Sequence, residues 1–351
     1  MSKDQVDLSV IIPTWDRADM VMDAVRSILS QDYPGVIEII VVDDGSEDET
    51  VPRLHELDSR RTNPKRRLLV IEKQHSGITD SIRVGFLASK GQYISYLSSD
   101  DSWDADRAGL LLEASRRETG LVLIYTNWRF VDQSMRLLRA NGMGDLPVFE
   151  WDRKHGRSLY GAFASYWIPG GVSIFPRSLL DGDFILPADL PSEDYWFGLC
   201  AMLRGKIKFL DNCSIAIRHH SRQHFPNFPY MSETANVWIR QEINYCNHAE
   251  KLLRTHAPNE KKLLEYFSVR KRLFESRRLR SQGKIVQSAF RTFACLGDVL
   301  CFRALGFLFL SNLLFSVDPE LIRPAKAFKD RLEQHLAISG RRKKTSNRSK
   351  R

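Results

Sequence analysis

The sequence predicts an α/β protein with a mostly parallel sheet, helices on both faces and a C-terminal helical extension. Short apolar runs alternate with helical repeats through the first hundred residues, a pattern typical of strands joined by helices. Two pairs of adjacent aspartates follow directly after two of these runs. With 43% hydrophobic and 27% charged residues, the composition excludes a wholly disordered chain. The 351 residues suggest two domains with an appendage.

Four strands are predicted first, at residues 7–13, 36–42, 67–72 and 92–98. One helix is expected over residues 17–31, and another starts near Ile78. Further strands are predicted at residues 120–127, 171–176, 207–210 and 214–218, with a helix over residues 193–204. From about residue 230 the pattern is helical and basic, and the last eleven residues are expected to be disordered.

Charge divides the chain into two parts. The net charge is +9, but residues 251–351 carry +16 and residues 1–250 carry −7. The acidic N-terminal part suits a metal-dependent site, and the basic C-terminal part suits binding to an anionic surface. The 14-residue apolar run at 304–317 is shorter than the roughly 20 residues that span a membrane, so we expect an interfacial or docked helix. The alternative is that this helix packs on the preceding domain.

The start of the chain lacks the pattern of a signal peptide, and no run of 18 apolar residues occurs. The five cysteines are scattered and form no CxxC motif. These features predict a reduced, cytosolic chain.

The first acidic pair, Asp43 and Asp44, lies in VVDDGSEDET. A carboxylate at a strand end can accept hydrogen bonds from a nucleobase N–H or a ribose hydroxyl. The alternative is a helix cap, because Ser46 and Glu49 have the spacing of a capping box. Both interpretations can hold together, since the cap would leave the aspartates free.

The second pair, Asp100 and Asp101, lies in YLSSDDSWDADR. Adjacent carboxylates at the end of a buried strand repel each other, and Mg²⁺ or Mn²⁺ with substrate phosphates would relieve that repulsion. The alternative is a solvated turn in which Asp104 and Asp106 open the next helix.

The third pair, Glu193 and Asp194, lies in PSEDYWFGLCAMLRG. A carboxylate there can act as general base for an attacking hydroxyl. The alternative is favourable charge at a helix N-terminus that Ser192 caps.

A histidine cluster, IRHHSRQH, follows the last predicted strand. His219, His220 and His224 could supply a metal ligand or a phosphate donor. A histidine-rich surface turn is the alternative, since no HExxH pattern accompanies the cluster.

Taken in order, these motifs resemble the family 2 glycosyltransferases, which have the A-type glycosyltransferase fold. The similarity begins with Ile-Pro-Thr at residues 12–14 and VVDDGSEDET. It continues through HSGITDSIRVGFLASKGQYISYLSSDDSW, then EDYWFGLCAMLRGKIKF and RHH, and covers roughly residues 7–224.

The resemblance implies roles for particular residues. Asp100 and Asp101 form the metal and diphosphate motif, with Asp101 the favoured candidate for the metal ligand, and His220 lies near the diphosphate as a second metal-binding candidate. Asp194 is the base of an inverting transfer. The nucleotide-binding residues are Pro13, Thr14, Asp43, Asp44 and Asp100.

The resemblance also implies a division of the chain. Residues 1–225 are the catalytic domain, with a nucleotide half at 1–105 and an acceptor half at 106–225. A basic helical extension at 226–340 and a basic tail at 341–351 follow. The sequence departs from the family pattern at Ser98, His75, Arg83 and Ala105, so the donor sugar stays undefined.

We therefore expect an inverting, Mn²⁺- or Mg²⁺-dependent transfer from a nucleoside diphosphate sugar, a UDP-sugar, to a saccharide or lipid-linked saccharide hydroxyl. The setting implied is cell-envelope polysaccharide or glycolipid synthesis, in the cytoplasm at the inner face of an anionic membrane. One alternative is a nucleotidyltransferase, for which Arg17 is the candidate activating cation in the first strand–helix loop. The other is a basic nucleic-acid-binding protein, although we expect no nucleic-acid partner.

Overall fold

The structure is a computed structural model, and it describes residues 5–60, 62–144, 148–152, 159–165, 170–220 and 233–295. The chain divides into two compact units, residues 1–228 with 244–264 and residues 229–243 with 265–351. His224, the apolar run at 304–317 and the tail at 341–351 lie outside the described residues. The domain boundaries expected at residues 225 and 340 stay predictions.

The first unit contains a mixed sheet of nine strands in the described part of the chain. They are β1 Leu8–Thr14, β2 Ile37–Asp43, β3 Arg66–Glu72, β4 Tyr93–Tyr96, β5 Ser102–Trp103, β6 Leu121–Val131, β7 Leu137–Arg139, β8 Ser173–Pro176 and β9 Lys206–Arg218. The helices are α1 Ala18–Leu29, α2 Thr50–Ser59, α3 Ile78–Ala88, α4 Arg107–Arg117, α5 Leu159–Ser165, α6 Asp194–Arg204, α7 Glu233–His256, α8 Lys261–Ser281 and α9 Ile285–Ala294.

The strand order is β3-β2-β1-β4-β8-β6-β9-β5, with β7 paired to β6. Strands β1 to β4 are mutually parallel, and β8 is antiparallel to both β4 and β6. Strand β6 therefore runs in the direction of β4, and β9 is parallel to β6. Six strands share one direction, so the predicted, mostly parallel α/β sheet is confirmed.

The site edge follows from this strand order. After β3 the chain crosses back over β1 to form β4, and right-handed connections then place α3 on the face opposite α1 and α2. Gly85 on α3 lies close to the sheet, because an added Cβ would stand 2.4 Å from Ile11 Cγ2. The carboxyl ends of β1, β2 and β4 meet at one edge, where parallel α/β sheets bind ligands.

One strand prediction was wrong. The runs at 207–210 and 214–218 belong to a single strand, β9, rather than to two. The pairing with β6 shifts register between Thr126 and Asn127, whose partners are Leu210 and Cys213. This irregularity accommodates the polar Asp211-Asn212 step without ending the strand.

The second unit is helical. Trp238 on α7 packs edge-on against Phe274 on α8, with ring centroids 5.1 Å apart. The Ser276 hydroxyl of α8 bonds to Ser288 and Thr292 of α9. The opposite side of α9 exposes Val286 and Phe290, at 82% and 79% of their surface. No helix among the described residues is long and apolar enough to cross a membrane.

Candidate active site

The first aspartate pair lies where β2 ends. The Asp43 carboxylate accepts hydrogen bonds from the Ser46 amide at 2.9 Å and from the Ser46 hydroxyl at 2.5 Å. Ser46 Oγ also accepts the Asp16 amide. The capping box is therefore wrong: Ser46 is bound to the turn, and Glu49 precedes α2 without a side-chain hydrogen bond to it.

Asp44 is held entirely by the protein. Its oxygens accept hydrogen bonds from the Lys73 ammonium, from the Ser76 amide at 2.9 Å and from the Gly77 amide at 2.8 Å. Its own amide donates to the Thr14 carbonyl at the end of β1. Burial alone would raise the pKa of Asp44, but Lys73 and the two amides outweigh it and lower that pKa. This carboxylate is therefore ionised at neutral pH.

An aromatic pair lies beside this turn. Trp15, which follows β1, is 43% exposed, and its ring centroid is 4.5 Å from that of His75. An exposed indole offers a flat face on which a nucleobase can stack. Trp15 was not predicted from the sequence, although a large aromatic residue directly after a strand end is a recognisable signal.

The two aspartates of the second pair, between β4 and β5, have different hydrogen-bond partners. Asp100 Oδ2 faces two side chains, with Arg17 Nη1 at 2.6 Å and His220 Nε2 at 2.9 Å. Asp101 Oδ1 accepts the Arg218 amide at 2.9 Å. Asp101 Oδ2 accepts no hydrogen bond from any described residue. Each aspartate therefore has one oxygen, Oδ1 of Asp100 and Oδ2 of Asp101, that accepts no hydrogen bond from a described residue, but only Asp100 is paired with a guanidinium.

The residues fit a divalent cation at Asp101. Burial and the neighbouring charge of Asp100 hold the pKa of Asp101 well above its usual range, and the Arg218 amide offsets this only in part. A cation would relieve that electrostatic cost. Within the described ranges, no three His, Cys, Asp or Glu side chains are grouped for a metal. Water and phosphate oxygens would therefore complete the coordination, as is common for Mg²⁺.

His220 lies with its Nε2 towards Asp100, and its side chain is almost fully buried. Its role as a metal ligand stays a prediction. Arg17 also contacts Asp100, and its guanidinium balances the charge of that carboxylate.

The third pair lies at the start of α6. Asp194 Oδ1 accepts the Gly170 amide at 2.6 Å and faces the Tyr96 hydroxyl at 3.1 Å. Tyr96 also donates to Glu193 Oε1 at 2.6 Å. Because Tyr96 is the last residue of β4, this contact brings Asp194 to the edge of the sheet that carries Asp101.

The electrostatics of this pair suit proton transfer. Burial and the charge of Glu193 raise the pKa of Asp194 to about 7. Burial raises the pKa of Glu193 as well. A carboxylate with a pKa near the working pH is well matched to general-base catalysis.

The predicted nucleotide-binding residues lie at the same edge. Thr14 pairs with Asp43 in the β1–β2 register, and Pro13 pairs with Val42. The Thr14 hydroxyl is buried and has no hydrogen-bond partner among the described residues. This hydroxyl beside Asp43 can therefore form a hydrogen bond with a nucleotide bound at this edge.

Residues 9–164 match the sequence profile described as "Glycosyl transferase family 2". Among curated relatives, an "Uncharacterized glycosyltransferase" of Rickettsia felis is 26% identical over 261 residues, which is 72% of this chain and 40% of the relative. A chondroitin synthase of Pasteurella multocida is 30% identical over 238 residues, or 68% of this chain and 23% of the relative. The chain thus spans well under two thirds of the length of these relatives.

Among solved structures, residues 1–349 of S. aureus TarS in complex with UDP-GlcNAc superpose with a TM-score of 0.57 and 16% identity. The match covers 88% of this chain and 89% of that one. This similarity confirms the A-type glycosyltransferase fold.

Proposed function

Because residues 9–164 form a glycosyl transferase family 2 domain, we propose that this chain transfers a sugar from a nucleoside diphosphate sugar, a UDP-sugar, to a hydroxyl acceptor with inversion. One observation carries the proposal. Three acidic pairs that are far apart in the sequence lie at the carboxyl ends of β2 and β4, and their contacts differ in the way this reaction requires. One pair is structured for binding, one retains an open oxygen for a cation, and one contains a base.

The donor nucleotide would lie over the ends of β1 and β2. Thr14 supplies an unpaired hydroxyl there, and Asp43 and Asp44 shape the turn beneath it. Trp15 offers its exposed ring to the base. Asp100, held by Arg17 and His220, would lie towards the diphosphate.

Asp194 would take the acceptor proton on Oδ2, the oxygen to which no described residue donates. The acceptor oxygen then bonds to the anomeric carbon on the side opposite the diphosphate. The bond from that carbon to the diphosphate oxygen breaks, and its electron pair leaves with the nucleoside diphosphate. A single displacement of this kind inverts the anomeric configuration.

Asp101, with His220 as a second candidate, would hold Mn²⁺ or Mg²⁺. The bound cation would supply positive charge that neutralises the diphosphate leaving group. The open Oδ2 of Asp101 and the raised pKa of that carboxyl support this assignment.

We further place the reaction in envelope polysaccharide or glycolipid synthesis, in the cytoplasm at the inner membrane face. The similarity to a chondroitin synthase supports a polysaccharide product. The exposed Val286 and Phe290, on a helix in the basic part of the chain, support contact with an anionic lipid surface. In a flotation assay, the full chain should float with anionic vesicles and a Val286→Ser, Phe290→Ser double variant should float less. Equal flotation would remove this surface from the account.

The transfer itself is tested by a thermal-shift screen of nucleotide sugars with and without Mn²⁺. A true donor at 100 times its dissociation constant should add about 2.7 kcal/mol to stability. Incubation with that donor should then release nucleoside diphosphate. Release of pyrophosphate would indicate a nucleotidyltransferase instead, and stabilisation by RNA or DNA alone would indicate a nucleic-acid-binding protein.

A further inference from the structure

Tyr96 is a buried polar residue for which the reaction described so far gives no role. It is the last residue of β4, and only 5% of its surface is exposed. Its hydroxyl lies 2.6 Å from Glu193 Oε1 and 3.1 Å from Asp194 Oδ1. A phenol carries one proton, so it can donate fully to only one of the two carboxylates at a time.

The surroundings of Asp194 fix its orientation. Oδ1 faces both the Gly170 amide and the Tyr96 hydroxyl, and Oδ2 receives no hydrogen bond from the described residues. The approach of Gly170 depends on its lack of a side chain. An added Cβ would stand 2.4 Å from Tyr96 Cε1 and 2.9 Å from Asp194 Oδ1. Two donors on Oδ1 therefore leave Oδ2 as the oxygen that no described residue occupies.

We propose that Tyr96 is a positioning residue that orients the open oxygen of Asp194 towards the acceptor and links the ionisation of Asp194 to that of Glu193. This inference rests on the proposed role of Asp194 as base. It assigns Glu193 a role besides that of a charge at the start of α6. Glu193 competes with Asp194 for the Tyr96 proton and repels negative charge on it.

The two neighbours act on Asp194 with opposite sign. Among the described residues, the titratable groups that influence it are Tyr96 on β4 and Glu193, and the remaining contact is the Gly170 amide. The charge of Glu193 raises the pKa of Asp194, whereas the hydrogen bond from Tyr96 lowers it. Tyr96→Phe keeps the ring and should raise that pKa. Glu193→Gln keeps the shape and should lower it.

Activity gives one readout of this linkage. Tyr96→Phe should lower kcat at pH 7 roughly 10- to 100-fold, the loss expected for one hydrogen bond to a charged group, and leave donor KM near that of wild type. The acidic limb of the rate profile should move to higher pH in Tyr96→Phe and to lower pH in Glu193→Gln. A merely structural role would change the rate without moving the two limbs in opposite directions.

The deciding experiment needs no substrate. Protein labelled with ¹³C at the aspartate carboxyls is titrated by NMR, and Asp194→Asn identifies the Asp194 signal. The wild-type midpoint should lie near 7 and shift upwards in Tyr96→Phe and downwards in Glu193→Gln. Identical midpoints in all three proteins would overturn the inference. If Tyr96→Phe does not fold, an unmoved midpoint in Glu193→Gln still overturns the linkage between the two carboxyls.

The inference and the proposed function fail in different ways. Opposite NMR shifts with unchanged turnover of Asp194→Asn would contradict the base assignment, because the linkage would then exist without that role. Loss of turnover in Asp194→Asn with unmoved midpoints would retain the base and contradict the role of Tyr96.

Discussion

The two aspartate pairs at the strand ends look alike in the sequence and behave in opposite ways in the fold. Asp44 is surrounded by donors, and its pKa is lowered because Lys73 and two backbone amides outweigh the effect of burial. Asp101 is also a buried residue, yet its pKa is raised because burial and Asp100 outweigh the Arg218 amide and the charges of Arg218 and Arg17. The first pair is satisfied by the protein, and we propose that a cation completes the second.

The difference comes from what the neighbouring elements supply. The loop after β3 contributes Lys73, Ser76 and Gly77 to Asp44. At the second pair, Arg17 and His220 both contact Asp100, and neither forms a hydrogen bond with Asp101. The protein thus leaves uncompensated charge at a single carboxylate. Such a carboxylate is costly for stability and useful for binding a cation.

The largest effect is expected at Asp101. Asp101→Asn should abolish detectable transfer, a loss on the order of 1,000-fold or more, because it removes the uncompensated charge that binds the cation. The matched control is Asp106→Asn, an exposed carboxylate on the same segment, which should keep wild-type turnover. If Asp101→Asn turns over as fast as the control, Asp101 does not bind a cation that the transfer requires.

Asp194→Asn should cost about 100- to 10,000-fold in kcat, the usual loss for a general base, with donor affinity unchanged. In the wild type, kcat/KM should rise with pH through about 7, because Asp194 must lose its proton to act as base. Steady-state kinetics from pH 5.5 to 8.5 measures both. If Asp194→Asn and Glu193→Gln both unfold, the two carboxylates only stabilise the start of α6.

The same carboxyl should also leave a signature in stability. Its pKa is about 7 in the fold and 3.8 as a reference, so between these values the folded state binds more protons than the unfolded state. The free energy of unfolding should therefore fall as pH rises through this window, by at most about 4 kcal/mol for this group. Asp194→Asn removes the effect. Its Tm relative to wild type should be higher at pH 8 than at pH 5, and a pH-independent difference would contradict the raised pKa.

The smallest effect is expected at the satisfied pair. Lys73→Met should destabilise the fold by about 1–2 kcal/mol at pH 7, since Asp44 keeps its amide donors. Because the pKa of Asp44 is lowered in the fold, its stabilising contribution exists above its unfolded pKa and is lost as the pH falls. Chemical denaturation should therefore show a smaller defect at pH 3.5 than at pH 7. A defect at pH 3.5 as large as that at pH 7 would show that Lys73 stabilises the fold independently of the charge on Asp44.

The strands and the position of the acidic pairs could be predicted because both depend on local sequence patterns. Periodicity marks a buried strand such as β2, and a carboxylate directly after it lies at the site edge whatever the rest of the chain does. The partners of those carboxylates are long-range and leave no local pattern. Lys73, Arg17 and Gly170 each reach an aspartate from another element.

Tyr96 could have been found from the sequence. The hydroxyl of a tyrosine within a buried strand needs a hydrogen-bond partner. Because this strand ends one loop before an acidic motif, a carboxylate is the partner to expect. The continuity of β9 could not have been found in this way. Its polar interruption is accommodated by a register shift against β6, which depends on the partner strand.

The central claim is that Asp101, and not the satisfied pair, couples the cation to the nucleotide. Isothermal titration of UDP into the full chain, with and without Mn²⁺, tests it most directly in wild type, Asp101→Asn and Asp106→Asn. Mn²⁺ should strengthen UDP binding in wild type and Asp106→Asn and should have no effect in Asp101→Asn. Equal strengthening in all three proteins would contradict it.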